Sequence, residues 1–145
     1  MSIVVDIAKA LVTELNAQTF DPSFTAKRAY RPVFELKDMA TLQVTVVPRS
    51  REIQSGTRSV SQQDVQVDIA IQKRLGREAE TDPTETDGLM DLADQIIAYL
   101  RSRKLAGVSG AVWVRTEHQP IYSVEHLERF RGFTSVLTVT YRVLQ

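Results

Sequence analysis

Cysteine is absent from the 145 residues, which removes disulfides, thiolate metal sites and cysteine nucleophiles at once. Histidine occurs twice, at 118 and 126, so imidazole bases are scarce. The six glycines are scattered, and none sits in a phosphate-cradling loop. Charge of one sign is lacking too: 18 basic residues balance 18 acidic ones. A neutral molecule has no long-range field to gather it onto nucleic acid or an anionic membrane. It also has little self-repulsion to keep copies apart. No apolar run approaches the roughly 20 residues that span a bilayer. The opening Met1-Ser2-Ile3-Val4-Val5-Asp6 has no basic stretch and meets an acid early, which is not the pattern of a secretory leader.

What is present is an ordinary globular balance, 43% apolar and 25% charged. The length predicts a single domain over residues 1–145. A chain of this size buries roughly 70% of its unfolded surface and needs no covalent staple.

Ser2 to Asn16 spaces Ile3, Ile7, Leu11 and Leu15 at helical intervals, with Val4, Ala8 and Val12 beside them. Ser2 is placed to cap this helix and Asn16 to stop it. Ala17 to Ser23 then reads as a linker, and Thr25 to Arg31 as an edge strand that Pro32 ends or confines. Leu42, Val44 and Val46 alternate with polar residues until Pro48. Val65, Val67, Ile69 and Ile71 do the same further on. Between them Arg49 to Ser61 is polar, with Ser55-Gly56-Thr57 as a turn, which predicts two antiparallel strands running on into a long hairpin.

Asp82-Pro83-Thr84-Glu85 has the chemistry of a helix start: an acceptor side chain, a proline where no N–H is needed, and an acid at the positive end. The helix places Leu89, Leu92, Ala93, Ile96, Ile97 and Leu100 on one face, with Arg101, Arg103 and Lys104 at its C-terminal end. Gly107 to Gly110 is a turn, and Ala111 to Glu117 a strand around Val112-Trp113-Val114. Ile121 to Arg131 fits either a helical turn or an extended connection. Alternation resumes from Phe133 to Val143. The order predicts an α+β fold: a mostly antiparallel sheet with two main helices packed on one face and a long protruding β-hairpin.

Catalytic patterns are missing. No serine stands in a nucleophile elbow, since Val108-Ser109-Gly110 lacks the first glycine. Glu117, His118, Glu125 and His126 are of metal-binding type, but their spacing fits no known pattern and both pairs border an expected loop. The acids from Glu78 to Asp94 do not follow the order of a calcium loop, and acids gather naturally at a helix N-terminus. No enzyme activity and no cofactor are therefore expected; a small metal-dependent enzyme using those four residues is the reading from a different class. Basic groups at Lys27-Arg28-Arg31, Arg49-Arg51-Arg58 and Lys73-Arg74-Arg77 lack the interleaved aromatics of nucleic-acid binders. They fit solvated faces or salt bridges between subunits. Trp113, between valines, is expected as a core or interface anchor.

The stretch Arg49 to Arg58 combines charges of both signs with one isolated Ile53. Ordering its backbone costs about 1–2 kcal/mol per residue, which a polar arm recovers poorly inside one subunit. A neighbouring subunit beneath the arm, pairing strand edges or burying Ile53, solves this; a flexible surface loop is the alternative. The interface candidates are Lys27, Arg28, Arg31, Arg49, Arg51, Glu52, Ile53 and Arg58.

This layout resembles the tail terminator (tail completion) proteins of long-tailed bacteriophages. The likeness is carried by the opening amphipathic helix, by Phe24-Thr25-Ala26-Lys27-Arg28-Ala29-Tyr30 before Pro32, and by Phe34-Glu35-Leu36-Lys37-Asp38 before Leu42-Gln43-Val44-Thr45-Val46-Val47-Pro48. It continues through the charged hairpin, Asp64 to Leu75, the helix Leu89 to Leu100 and Phe133 to Tyr141. The resemblance implies a homohexameric ring that stops tail-tube growth and docks the tail to the neck of the head. It implies partners in itself, the tail-tube protein and a neck or head-completion protein, with DNA passing through the ring unread. It implies a place in the virion, assembled in the bacterial host cytoplasm, away from membranes. Another neck or head-closure adaptor is the alternative within the same class.

Overall fold

The computed structural model describes residues 2–32 and 39–144; Phe34-Glu35-Leu36-Lys37-Asp38 lies outside them. The first apolar stripe forms helix α1, Ile3–Ala17, and buries Ile7, Ala8, Ala10, Leu11 and Leu15. Asn16 is more than a stop signal. Its side-chain amide accepts from the Ala26 N–H at 2.7 Å and donates to the Ala26 carbonyl at 3.1 Å. It thus acts as a one-residue strand partner for β1, Ala26–Arg28. That strand is shorter than the expected span from Thr25 to Arg31. It pairs in parallel with β2, Gln43–Ser55, from Ala26↔Val44 to Arg28↔Val46.

Pro48 does not end β2. The register shifts between Pro48 and Ser50, and a bulge tolerates the missing N–H. Beyond it β2 pairs antiparallel with β3, Ser61–Arg74, as far as Ser55↔Ser61. The loop closes where Gly56 and Thr57 both donate to the Val60 carbonyl, at 3.1 and 2.9 Å. A Cβ on Gly56 would come within 3.0 Å of that oxygen, so glycine suits this turn. The distal part of β3 is not left to β2 alone. Strand β5, Gly132–Leu144, runs beside it to Gln62↔Leu144.

After a 3-10 turn at Arg77–Glu80 comes helix α2, Thr84–Leu100. The Asp82 carboxylate accepts from the Thr84 N–H and hydroxyl at 3.0 and 2.6 Å, and these bonds hold its carboxyl below the usual range. Strand β4, Val112–His118, follows. Both readings of residues 121–131 apply in part. The chain bends through Pro120, Ile121 and Tyr122 and is extended at Ser123, whose N–H donates to the Thr134 carbonyl at 2.8 Å. It then forms helix α3, Val124–Phe130, whose N-cap Ser123 accepts from the His126 N–H.

The sheet order is β1-β2-β3-β5-β4, antiparallel except for β1. Alternation gives it two unlike faces. On one face Val44, Val46, Val65, Val67, Ile69, Leu137, Val139 and Tyr141 meet α1 and α2 in a single core. The Tyr99 hydroxyl of α2 donates to the Glu14 carbonyl of α1 at 3.1 Å, tying the two helices together. The other face, helix-free except where α3 reaches Thr134 at its far end, carries Thr45, Gln66, Asp68, Thr138 and Thr140, with Gln66 opposite Thr140 and Asp68 opposite Thr138. Among the described residues, no helix is long and apolar enough to cross a membrane.

Candidate functional site

The sheet sets the candidate residues along one side. β1 is the outermost strand on that side but covers β2 only as far as Val46. From Val47 to Ser55, β2 therefore presents a strand edge that no described strand pairs. Lys27 and Arg28 lie on β1, Arg31 just beyond it, and Arg49, Arg51, Glu52 and Ile53 on the bare part of β2. Arg58 is in the tip loop. Basic groups from both segments thus flank one edge, and every residue from Arg49 to Ser59 is exposed.

Local contacts tether some of these side chains. Arg28 donates to the Tyr30 hydroxyl at 3.3 Å and lies 5.6 Å from its ring centre. Arg49, the extra residue of the bulge, reaches Asp68 on the helix-free face at 3.5 Å. Ser50 donates to Gln66 at 2.7 Å, and Gln54 donates to Glu52 at 3.1 Å. Lys27, Arg51 and Arg58 form no ion pair among the described residues. Ile53 points to the same side as Val65 and Gln63, yet remains 55% exposed because the helices do not extend that far. On the opposite face, Asp64, the cross-strand partner of Glu52, receives two bonds from Arg142 at 2.8 and 3.1 Å. That guanidinium holds the Asp64 carboxyl below the usual carboxylate range.

No protein-family model and no curated protein matches this chain. Function must therefore be read from the surfaces themselves.

The four residues weighed as metal ligands are not gathered. Glu117 pairs with Arg115 at 3.0 Å, and Glu125 with Arg129 at 3.4 Å, both at the surface. The His118 ring shares a 2.6 Å hydrogen bond with Ser135 on the helix-covered face. His126 shares one of 2.8 Å with Thr134 on the opposite face. Among the described residues, no group of three or more His, Asp or Glu is placed to hold a metal ion. The His118–Ser135 contact is a serine–imidazole pair that no sequence motif announced. Ser135 is fully buried, so no substrate atom reaches its hydroxyl, and the bond works as a cross-strand tie. Burial pushes the His118 imidazole below its ordinary value and keeps it neutral.

Two surface features escaped the periodicity argument. The first is the edge of β4, which closes the sheet on the side opposite β1. It carries Arg115 and Glu117 on the helix-free face, in register with Thr140 and Thr138. Two opposite charges spaced i, i+2 were the available signal for an exposed edge. The second is the distribution of exposed large apolar side chains. Ile53, Val112 and Leu144 lie at the hairpin end of the strands, Ile121, Tyr122, Val124 and Phe130 at the opposite end, and Tyr30, the most exposed, just past β1 in neither group. Nothing in the periodicity revealed that grouping, because those residues come from separate elements. Trp113 is half-buried against the core and donates its indole N–H to Thr116 at 2.9 Å.

Proposed function

We propose that this chain is a structural virion protein, a ring-forming tail terminator that caps a phage tail tube and joins it to the neck of the head. The observation that carries the proposal is that exposed apolar residues lie at both ends of the sheet: Ile53 on one face with Val112 and Leu144 on the other at the hairpin end, and Ile121, Tyr122, Val124 and Phe130 at the far end. Exposed apolar groupings mark surfaces that other proteins cover. A ring held between a tube below and a neck above needs two such surfaces, facing opposite ways. The free edges at β2 and β4 supply the side-to-side contacts, which in a ring are heterologous: one patch meets a different patch on the next copy.

On this reading the partners are the chain itself, in six copies as the resemblance implies, the tail-tube protein and a neck or head-completion protein. The work is done by contact rather than by catalysis, and neither metal nor cofactor enters it. The protein assembles in the host cytoplasm and remains in the virion. Zero net charge suits a ring through which DNA slides without being gripped.

Light scattering and electron microscopy of the purified chain, alone and mixed with a tail-tube protein from the same genome, test the proposal. Rings that cap tube ends are the expected outcome. A chain that stays monomeric and leaves tube length unchanged defeats it. Ile53→Ser serves as an internal check. It is expected to change folding stability by no more than about 0.5 kcal/mol, as exposed positions do, while weakening capping.

A further inference from the structure

We propose that neighbouring copies join edge to edge, with the bare part of β2 in one copy pairing antiparallel with β4 of the next, so that one sheet continues from copy to copy. This inference rests on the ring reading and says how its side contacts are made.

Three observations carry it. Among the described residues the sheet has two edges that no strand pairs, β2 from Val47 to Ser55 and the seven residues of β4, and they lie on opposite sides. A row of unpaired backbone N–H and C=O groups is a template for another strand. The direction follows from topology. β2 runs toward the hairpin tip and β4 runs away from it, so copies set side by side in the same orientation bring these two edges together antiparallel. The charges then choose a register. Glu52 and Arg115 both lie on the helix-free face. Setting them opposite each other also brings Ser50 to Glu117, Arg51 to Thr116, and exposed Ile53 to the half-buried bulge at Trp113 and Val114. Opposite charges face each other and the isolated isoleucine gains apolar neighbours. By contrast, a two-fold pairing of β2 with itself centred on Arg51 or Glu52 sets like charges opposite, which is destabilising.

The absence of cysteine makes this directly testable. Glu52→Cys and Arg115→Cys are placed together in the full chain. Within one copy these positions are separated by β3 and β5, three strand spacings or roughly 14 Å. A disulfide needs Cα atoms within about 7 Å, so any bond formed links two copies. Oxidation of the concentrated double variant is expected to give a ladder of disulfide-linked multimers on a non-reducing gel. Each single variant alone gives monomer, and the two singles mixed give only the mixed dimer. Glu52→Cys combined with Ser109→Cys, on an exposed loop, measures random collision, and melting curves of all variants check folding.

Assembly by light scattering, with no ladder above the collision control, overturns the edge pairing and leaves the ring standing. A dimer from Glu52→Cys alone overturns it in favour of self-pairing. If neither assembly nor ladder appears, alone or with tail-tube protein present, the ring reading falls and the edge pairing with it.

Discussion

The clamp between α1 and β1 gives the sharpest stability test. The Asn16 amide makes two hydrogen bonds to the Ala26 backbone, and Ala26 is buried. Each such bond contributes about 0.5–1.5 kcal/mol net, so Asn16→Ala is expected to destabilise the fold by roughly 1–3 kcal/mol. For a domain of this size that lowers Tm by roughly 3–10 °C. Asn16→Asp separates the two bonds. The new carboxylate still accepts from the Ala26 N–H but faces the Ala26 carbonyl oxygen where an N–H had donated. When protonated it donates to that carbonyl and restores both bonds. The folded state thus prefers the protonated acid, and its pKa rises above the unfolded value of about 3.9. The stabilising contribution is full below that unfolded value and disappears as pH rises through the raised folded one. Urea titrations between pH 4 and 7 are the assay. The gap between Asn16→Asp and the parent should be narrow near pH 4 and at least as large as the alanine gap at pH 7. A variant as stable as the parent at pH 7, with no pH dependence of the gap, would refute the two-bond clamp.

Further expectations concern buried and titrating groups. Tyr141 is fully buried and its hydroxyl has no hydrogen-bond partner among the described residues, while burial pushes the phenol far above its ordinary value. Tyr141→Phe removes an unsatisfied polar atom and should leave stability unchanged or raise it by up to about 1–2 kcal/mol, read from the urea midpoint. A clear loss would reveal a partner for that hydroxyl. Stability should also fall in two steps on acidification. His118, held neutral by burial, contributes stability that is present above its unfolded pKa of about 6.5 and is lost below it. Asp64, held ionised by the Arg142 guanidinium, contributes stability above about 3.9 that is lost as pH falls further. His118→Gln should flatten the upper step and Asp64→Asn the lower one, in urea midpoints followed against pH.

Periodicity settled the elements with a simple local cause. The stripe Ile7-Leu11-Leu15, the alternation from Val65 to Ile71 and that from Phe133 to Val143 each expose one apolar face whatever the chain does elsewhere, so burial of that face follows. The start of α2 was equally legible, because Asp82 and Thr84 solve a problem internal to the helix. Pro48 was misjudged as a terminator because a bulge with β3, invisible in one segment alone, makes room for it. Ile121 to Arg131 stayed ambiguous because its fate depends on β5. Ser123, the N-cap of α3, is held by its N–H bond to the Thr134 carbonyl of β5.

The candidate site divides in the same way. The sequence by itself determined that this is an α+β chain with a polar, mixed-charge stretch between two apolar strands, because composition and period are properties of neighbours along the chain. Tertiary structure alone decided that β5 flanks that stretch, that β1 pairs β2 only as far as Val46 and no described strand pairs it beyond, and that β4 offers the opposite edge. Strand order is fixed by which faces must share one core. That is a property of the whole sheet and of no single segment.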